Sequence, residues 1–247
     1  MAGGLLPIYL LNASSMVMVA VGTFIAGKYV FRDGFAGAGW RWGKPWHYAA
    51  VIGLVVFLWI LPELVELWIG TVSLPSSLSR RQGIWIFVLL VVTLIPAFGE
   101  EFGWRGYMLP RLVSRMETRK AVVLQGFIWW AWHLPLLVIP QIHASLGDTK
   151  STEIQFVTGA IGSATVIVIA SAIPVMLHGV VFAYIWSYTR SLAVVTFYHA
   201  VYDGVRDSIQ TTVGCGPVAA TWVTIVLAAL GIFLLKKGNW KNLSGSN

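Results

Sequence analysis

The chain has 247 residues, of which 57% are apolar and only 11% are charged. An average soluble domain is about a quarter charged, so this composition excludes a water-soluble enzyme, a soluble DNA-binding module and a disordered tail. Seventeen Lys and Arg against ten Asp and Glu leave a net charge of +7. No basic stretch is interleaved with aromatic residues, so no nucleic-acid partner is expected, and the surplus suits loops beside an anionic lipid leaflet.

A membrane-spanning helix needs about 20 mostly apolar residues. The first charge-free run lacks the basic start of a secretory signal and stays apolar to Phe31, so the first helix is read as a retained one over Ile8–Phe31. The second is expected over His47–Ile69, with Glu63 and Glu66 at the interface near its end. The third covers Gly83–Met108 and beyond. The fourth covers Ala121–Ile139 and bends or ends just after His133, because Pro135 follows. The charge-free run from 154 to 189 would measure about 54 Å as one helix, too long for a single crossing. Pro174 lies near its middle and divides it into Phe156–Ala172 and Val175–Tyr188. A seventh helix follows over Leu192–Arg206 and an eighth over Ala219–Leu235.

The expected fold is therefore all-α: a polytopic membrane helix bundle of about eight transmembrane helices, with seven as the alternative. It forms one integral-membrane domain over 1–247 with its motif core at 99–207. Trp40, Trp42, Trp46, Trp68, Trp85, Trp186 and Trp240 fall near helix ends, as an aromatic belt would. The segments 73–81 and 144–152 read as polar connectors, and the tail from Gly238 as frayed. Lys28, Arg32, Arg41 and Lys44 follow the first helix, and Arg111, Arg115, Arg119 and Lys120 the third. An outside N-terminus puts both groups in the cytoplasm. The same eight-helix path leaves Lys236, Lys237 and Lys241 outside, a conflict: either the count is off by one near Pro174, or the tail departs from the rule.

Four charged residues sit in apolar helical surroundings: Glu100, Glu101, Arg105 and Asp203, with His133 and His199. Turned toward lipid, the four would cost roughly 10 kcal/mol even on the lenient insertion scale, so they must face a shared interior. Glu101 and Arg105 are four apart and can pair on one helix face, while Glu100, about 100° around the helix, is the freer carboxylate. Gly99, Gly103 and Gly106 form a small-residue face that admits a neighbouring helix. His199 and Asp203 are again four apart. A carboxylate, two imidazoles and a second acid suit activation of water and stabilisation of an oxyanion. They also suit a proton relay, a structural ion pair or an internal hydrogen-bonded pair. His47, His143 and His178 have no partner by spacing and receive no role. Cys215, the only cysteine, permits no intrachain disulfide and reads as a turn thiol.

Glu100-Glu101-x-x-x-Arg105-Gly106, Trp129-x-x-x-His133 and His199-x-x-x-Asp203, in this order, resemble the CAAX-processing and bacteriocin-processing (CPBP, or Abi) family of intramembrane endopeptidases. That family includes the type II CAAX prenyl proteases, and the contexts EEFGWRGYMLPRL and GFIWWAWHLPL are similar to its bacterial and archaeal branch. The resemblance implies that Glu100, helped by His133, activates water for attack on a peptide carbonyl. It implies that His199 and position 203 stabilise the oxyanion, and that Glu101 and Arg105 orient the site. No catalytic metal is expected, although metal-dependent mechanisms proposed for the family keep a divalent ion open; there is no His-Glu-x-x-His. The implied partners are a peptide or protein substrate, with or without a lipid group, and the bilayer, the cell membrane in a bacterium or archaeon. Two positions depart from the pattern. Trp129 stands where Phe is commoner, and Asp203 where Asn is often found. An ionised Asp cannot donate to an oxyanion, so Asp203 is either protonated or orients His199.

Two other functions compete. A proton-coupled transporter would use the same acids and imidazoles but needs broken, repeated helices; Pro174 marks one candidate break. A non-catalytic immunity-type membrane protein would keep the fold without cleavage. The Gly-x-Ser-Gly of a rhomboid-like serine protease is absent, and Tyr202-Asp203 has no Gly-x-Gly-Asp after it, as a presenilin-like enzyme would.

Overall fold

The computed structural model describes residues 6–74, 80–146 and 153–244. The centres of the two expected connectors, the last three residues and the side chains of Trp85 and His143 lie outside that description. Helix α1 (Leu6–Ile25) continues through a wider π turn at Ala26–Val30. Helix α2 covers Pro45–Ile69 with a similar turn at Val56–Ile60. Helices α3 (Arg80–Val92) and α4 (Leu94–Glu101) are collinear. Pro96 has no N–H to return to the Val92 carbonyl, and the ladder relaxes at Thr93, whose own N–H and C=O still bond to Leu89 and Ala97 at 3.0 Å each. The rod goes on through the π-helical Phe102–Met108 and the short Leu109–Val113. Helices α5 (Thr118–Leu146), α6 (Glu153–Thr189), α7 (Leu192–Thr212) and α8 (Pro217–Lys237) complete the bundle. Six of these rods are long and apolar enough to cross a membrane, and the chain is an integral-membrane helix bundle.

The sequence reading is corrected at several points. Helix α6 runs unbroken through Pro174, and α5 runs unbroken past Pro135. A proline inside a membrane bundle is tolerated because neighbouring helices re-satisfy what it frees. Among the described residues the path therefore makes seven traverses instead of eight. Helix α7 makes the sixth: it begins against the 39–41 loop and ends at a turn beside Glu66. It is as long as α8, at 21 residues each, but too charged to count as lipid-facing, and it lies inside the bundle. Odd parity removes the charge conflict, since the three basic groups and Arg190 now meet at one end. Hydrogen bonds tie that end together. Arg119 donates to the Leu235 carbonyl (2.7 Å), Ser191 Oγ to the Arg41 carbonyl (2.5 Å) and Trp186 Nε1 to the Ala38 carbonyl (3.2 Å).

Trp40, Trp42 and Trp68 are exposed as a belt would be, but Trp186 and Trp240 are core residues. The described part of the tail is docked: Trp240 Nε1 donates to the Leu234 carbonyl, and Trp240 packs edge-on against Tyr184. Glu63 and Glu66, near the end of α2, are buried against protein. Glu66 caps α8, its Oε1 accepting the N–H groups of Val218 (2.6 Å) and Ala219 (3.0 Å), while Thr71 donates to Oε2. At the other end, Asp33 accepts from Arg111 Nε (2.7 Å) and Tyr107 (3.0 Å), which fastens the α1–α2 loop to the rod after α4. Desolvation works against the Asp33 anion, but those donors outweigh it and hold the carboxyl below the usual range.

Two close helix approaches position the interior. Gly99 and Gly103 face α1 so tightly that a Cβ on Gly99 would lie 2.8 Å from the Met16 carbonyl oxygen. On the other side, α5 and α6 cross at Gly126 and Gly179, where a Cβ on Gly179 would stand 3.0 Å from the Gly126 Cα.

Candidate active site

Glu100 and Glu101 end α4, and the π-helical stretch that begins at Phe102 carries Arg105. Single π turns recur at functional sites. All three side chains are completely buried. Glu101 Oε1 meets Arg105 Nη1 at 2.8 Å, one turn along the rod. The remaining guanidinium nitrogens, Nε and Nη2, have no hydrogen-bond partner among the described residues. The flat cation is instead faced by two rings, Trp129 of α5 at 4.8 Å and Phe182 of α6 at 4.4 Å. The Gly126–Gly179 crossing, one turn from each ring, is what brings them together.

Glu100 keeps away from that ion pair. Its Oε2 accepts Trp129 Nε1 at 2.9 Å and Trp104 Nε1 at 3.3 Å. Its Oε1 has no hydrogen-bond partner among the described residues and lies 3.9 Å from His133 Nε2. That gap is too long for a direct bond and suits a bridging water. His133 Nδ1 is 2.7 Å from the Trp129 carbonyl oxygen. A carbonyl only accepts, so Nδ1 is the protonated nitrogen there and a neutral ring leaves Nε2 as an acceptor facing Glu100. Trp129 thus holds both groups at once, Glu100 by its indole and His133 by its carbonyl.

His199 comes from α7, which enters the bundle at a Ser191 cap whose Oγ accepts the Val194 N–H. Its Nδ1 lies 2.8 Å from Glu101 Oε1 and its Nε2 3.3 Å from Asp203 Oδ2. A carboxylate only accepts, so the ring satisfies both neighbours either as a cation that donates from both nitrogens or as a neutral ring that donates from one and accepts from a protonated acid at the other. The structure therefore brings all six residues named from the sequence into one cluster. A pocket of about 390 Å³ adjoins it, with His133, His199 and Asp203 on its polar wall and Met16, Leu136 and Val175 on its apolar one.

His178, Arg206 and Asp207 are also on the pocket wall. His178 lines it, with Nε2 2.9 Å from the Tyr198 hydroxyl. Its partner is on another helix, so no spacing within α6 could reveal it. Arg206 pairs with Asp203 at 2.8 Å and donates Nε to Asp207 at 2.8 Å. Its distance of three from Asp203 was a usable signal. Cys215 sits in the turn before α8, where burial and the nearby Glu63 push its thiol up. Among the described residues, no group of three or more His, Cys, Asp and Glu side chains is arranged to hold a metal ion.

Comparison with known proteins bears on this cluster. A family model described as type II CAAX prenyl endopeptidase Rce1-like matches residues 82–205, a segment that contains all six clustered residues. A relative from Methanococcus maripaludis, named CAAX prenyl protease 2, is 43% identical over 94 residues. That match covers 34% of this chain and 34% of the relative, so it spans about a third of the relative's length.

Proposed function

Because the chain belongs to the type II CAAX prenyl endopeptidase Rce1-like family, we propose that it is an intramembrane endopeptidase in which Glu100 and His133 activate water. Membership in this family supports a protease function, and one observation supports the mechanism. The Oε1 of a fully buried Glu100 has no protein partner among the described residues, and it lies 3.9 Å from Nε2 of His133, an imidazole at the wall of a pocket.

A water held between these atoms gives a proton to Glu100 as its oxygen attacks the peptide carbonyl carbon. The negative charge that collects on the carbonyl oxygen is met by His199, whose Nε2–H is only loosely engaged at 3.3 Å from Asp203. The proton then passes to the leaving nitrogen as the C–N bond breaks, which releases an amine and a carboxylic acid. Asp203, ion-paired with Arg206, orients His199 and does not itself donate. Glu101 and Arg105 hold His199 from behind. The basic end of the bundle faces the cytoplasm. The relative's name nominates prenylated CAAX peptides as the first probe.

The test is incubation of the purified protein in detergent with prenylated and unprenylated peptides, beside Glu100→Gln. Wild type should cleave, and the variant should lose on the order of a thousandfold in kcat while unfolding at the same temperature. Cleavage that survives the substitution rejects the mechanism. A wild type that cuts nothing but moves protons in vesicles supports a transporter, a reading against which the unbroken α6 already argues.

A further inference from the structure

Asp203 is held from two sides. Its Oδ2 lies 3.3 Å from His199 Nε2 and its Oδ1 lies 2.8 Å from Arg206 Nη1. Arg206 is shared in turn, with Nε given to Asp207 at 2.8 Å. Behind His199 stands Glu101, itself bound by Arg105. Six groups thus form one chain of alternating polarity: Arg105, Glu101, His199, Asp203, Arg206, Asp207. It runs from a fully buried core cation to Asp207 on the pocket wall, whose side chain is 22% exposed.

The order has a physical consequence at its outer end. Asp203 and Asp207 are four apart, so they stand on the same face of α7 and repel each other. The cation between them removes that repulsion, and in a partly desolvated wall both effects exceed their values in water. Without Arg206, Asp203 faces a second acid with only an imidazole to balance it. It then either takes up a proton or turns away, and both change what His199 Nε2 meets.

We propose that Arg206 is a positioning residue of this site: by cancelling the charge of Asp203 it fixes the His199 ring between Glu101 and Asp203. The inference rests on the protease reading. Arg206 is not placed against the attacked carbonyl; it acts through Asp203 and His199. What matters at position 206 is the charge that Asp203 requires, so making position 203 neutral should remove the requirement.

The experiment is a cycle of wild type, Asp203→Asn, Arg206→Gln and the double variant, with Arg206→Lys as a fifth protein. For each, kcat and KM are measured on a peptide that wild type cuts, together with the unfolding temperature. Arg206→Gln should lower kcat about tenfold with KM within about threefold, Arg206→Lys should retain most of the activity, and the double variant should recover at least about fivefold over Arg206→Gln. A double variant no faster than Arg206→Gln overturns the proposal. So does an Arg206→Gln protein that cuts at the wild-type rate. If Arg206→Gln alone does not fold, the double variant is compared with Asp203→Asn: equal kcat supports the proposal, and a further tenfold loss, of the order of a lost interaction, overturns it. Coupled unfolding temperatures with uncoupled kcat values make the pair purely structural and also overturn it. A wild type that cuts no peptide refutes the protease reading itself, and the positioning role falls with it.

Discussion

The crossing of α5 and α6 yields a test in which one chemical change has opposite signs at two glycines. At Gly53, inside α2, an added Cβ meets nothing within 4 Å. Alanine there gains helix propensity of about 0.5–1 kcal/mol. At Gly126 the same carbon would stand 2.8 Å from the Met176 carbonyl oxygen and 3.5 Å from the Met176 Cα and C. All three are backbone atoms of α6, so no rotamer change relieves the contact. The helices must separate by roughly half an ångström, and such overpacking costs about 1–3 kcal/mol. Net of propensity, Gly126→Ala should destabilise by about 0.5–2 kcal/mol. It should also reach the chemistry. Trp129 lies one turn on and is bound to Glu100 at 2.9 Å, and Phe182 shares Arg105 with it. Thermal unfolding in one detergent, with kcat on the same samples, reads both effects. Gly53→Ala should unfold slightly later than wild type at an unchanged rate, and Gly126→Ala earlier and more slowly catalytic. If the two alanine variants behave alike, the claim that this crossing positions the site is wrong.

Two further predictions concern the ends of the bundle. Glu66→Ala leaves the buried Ala219 N–H and the N–H of the more exposed Val218 without their acceptor. It should destabilise by about 1–3 kcal/mol, read as a lower unfolding temperature with kcat of the folded fraction intact; an unchanged temperature would show that the cap is dispensable. Asp33→Asn tests a charge outside the membrane. Because the folded carboxyl sits below its usual range, its contribution is present above the unfolded value of about 4 and is lost as pH falls through the folded value. The wild-type lead over Asp33→Asn in unfolding temperature should be constant from pH 7 to 5 and close below about pH 4. A lead that does not shrink at all between about pH 5 and pH 3 would contradict this.

Contacts within a single helix were legible in the sequence. The four-residue spacing anticipated that Glu101 could pair with Arg105 and that His199 could meet Asp203, and both pairs form, at 2.8 and 3.3 Å. The glycine face of α4 receives α1 as expected. What lay beyond reach was contact between helices. Nothing in Trp129-x-x-x-His133 says that the indole turns to Glu100, and nothing near His178 points to Tyr198. Those contacts depend on crossing points set by Gly126 and Gly179. The break expected at Pro174 has a different origin: it follows a rule for helices in water, whereas a helix packed in a membrane bundle can carry a proline without ending. The basic residues registered the error, because eight traverses put the lysines of the tail on the wrong side.

The enclosure of Arg105 bears on how the molecule comes into being. Its guanidinium is walled by rings from two helices synthesised after it, and no part of it reaches the surface. Water cannot serve as its partner once those helices close, so the cation has to be matched with Glu101 before or during closure. A bundle closed around an arginine without that partner would hold a bare charge in an apolar core, at a cost of several kcal/mol. The constellation that would cut peptides therefore also ties the packing of the helices around it to the pairing of one buried charge.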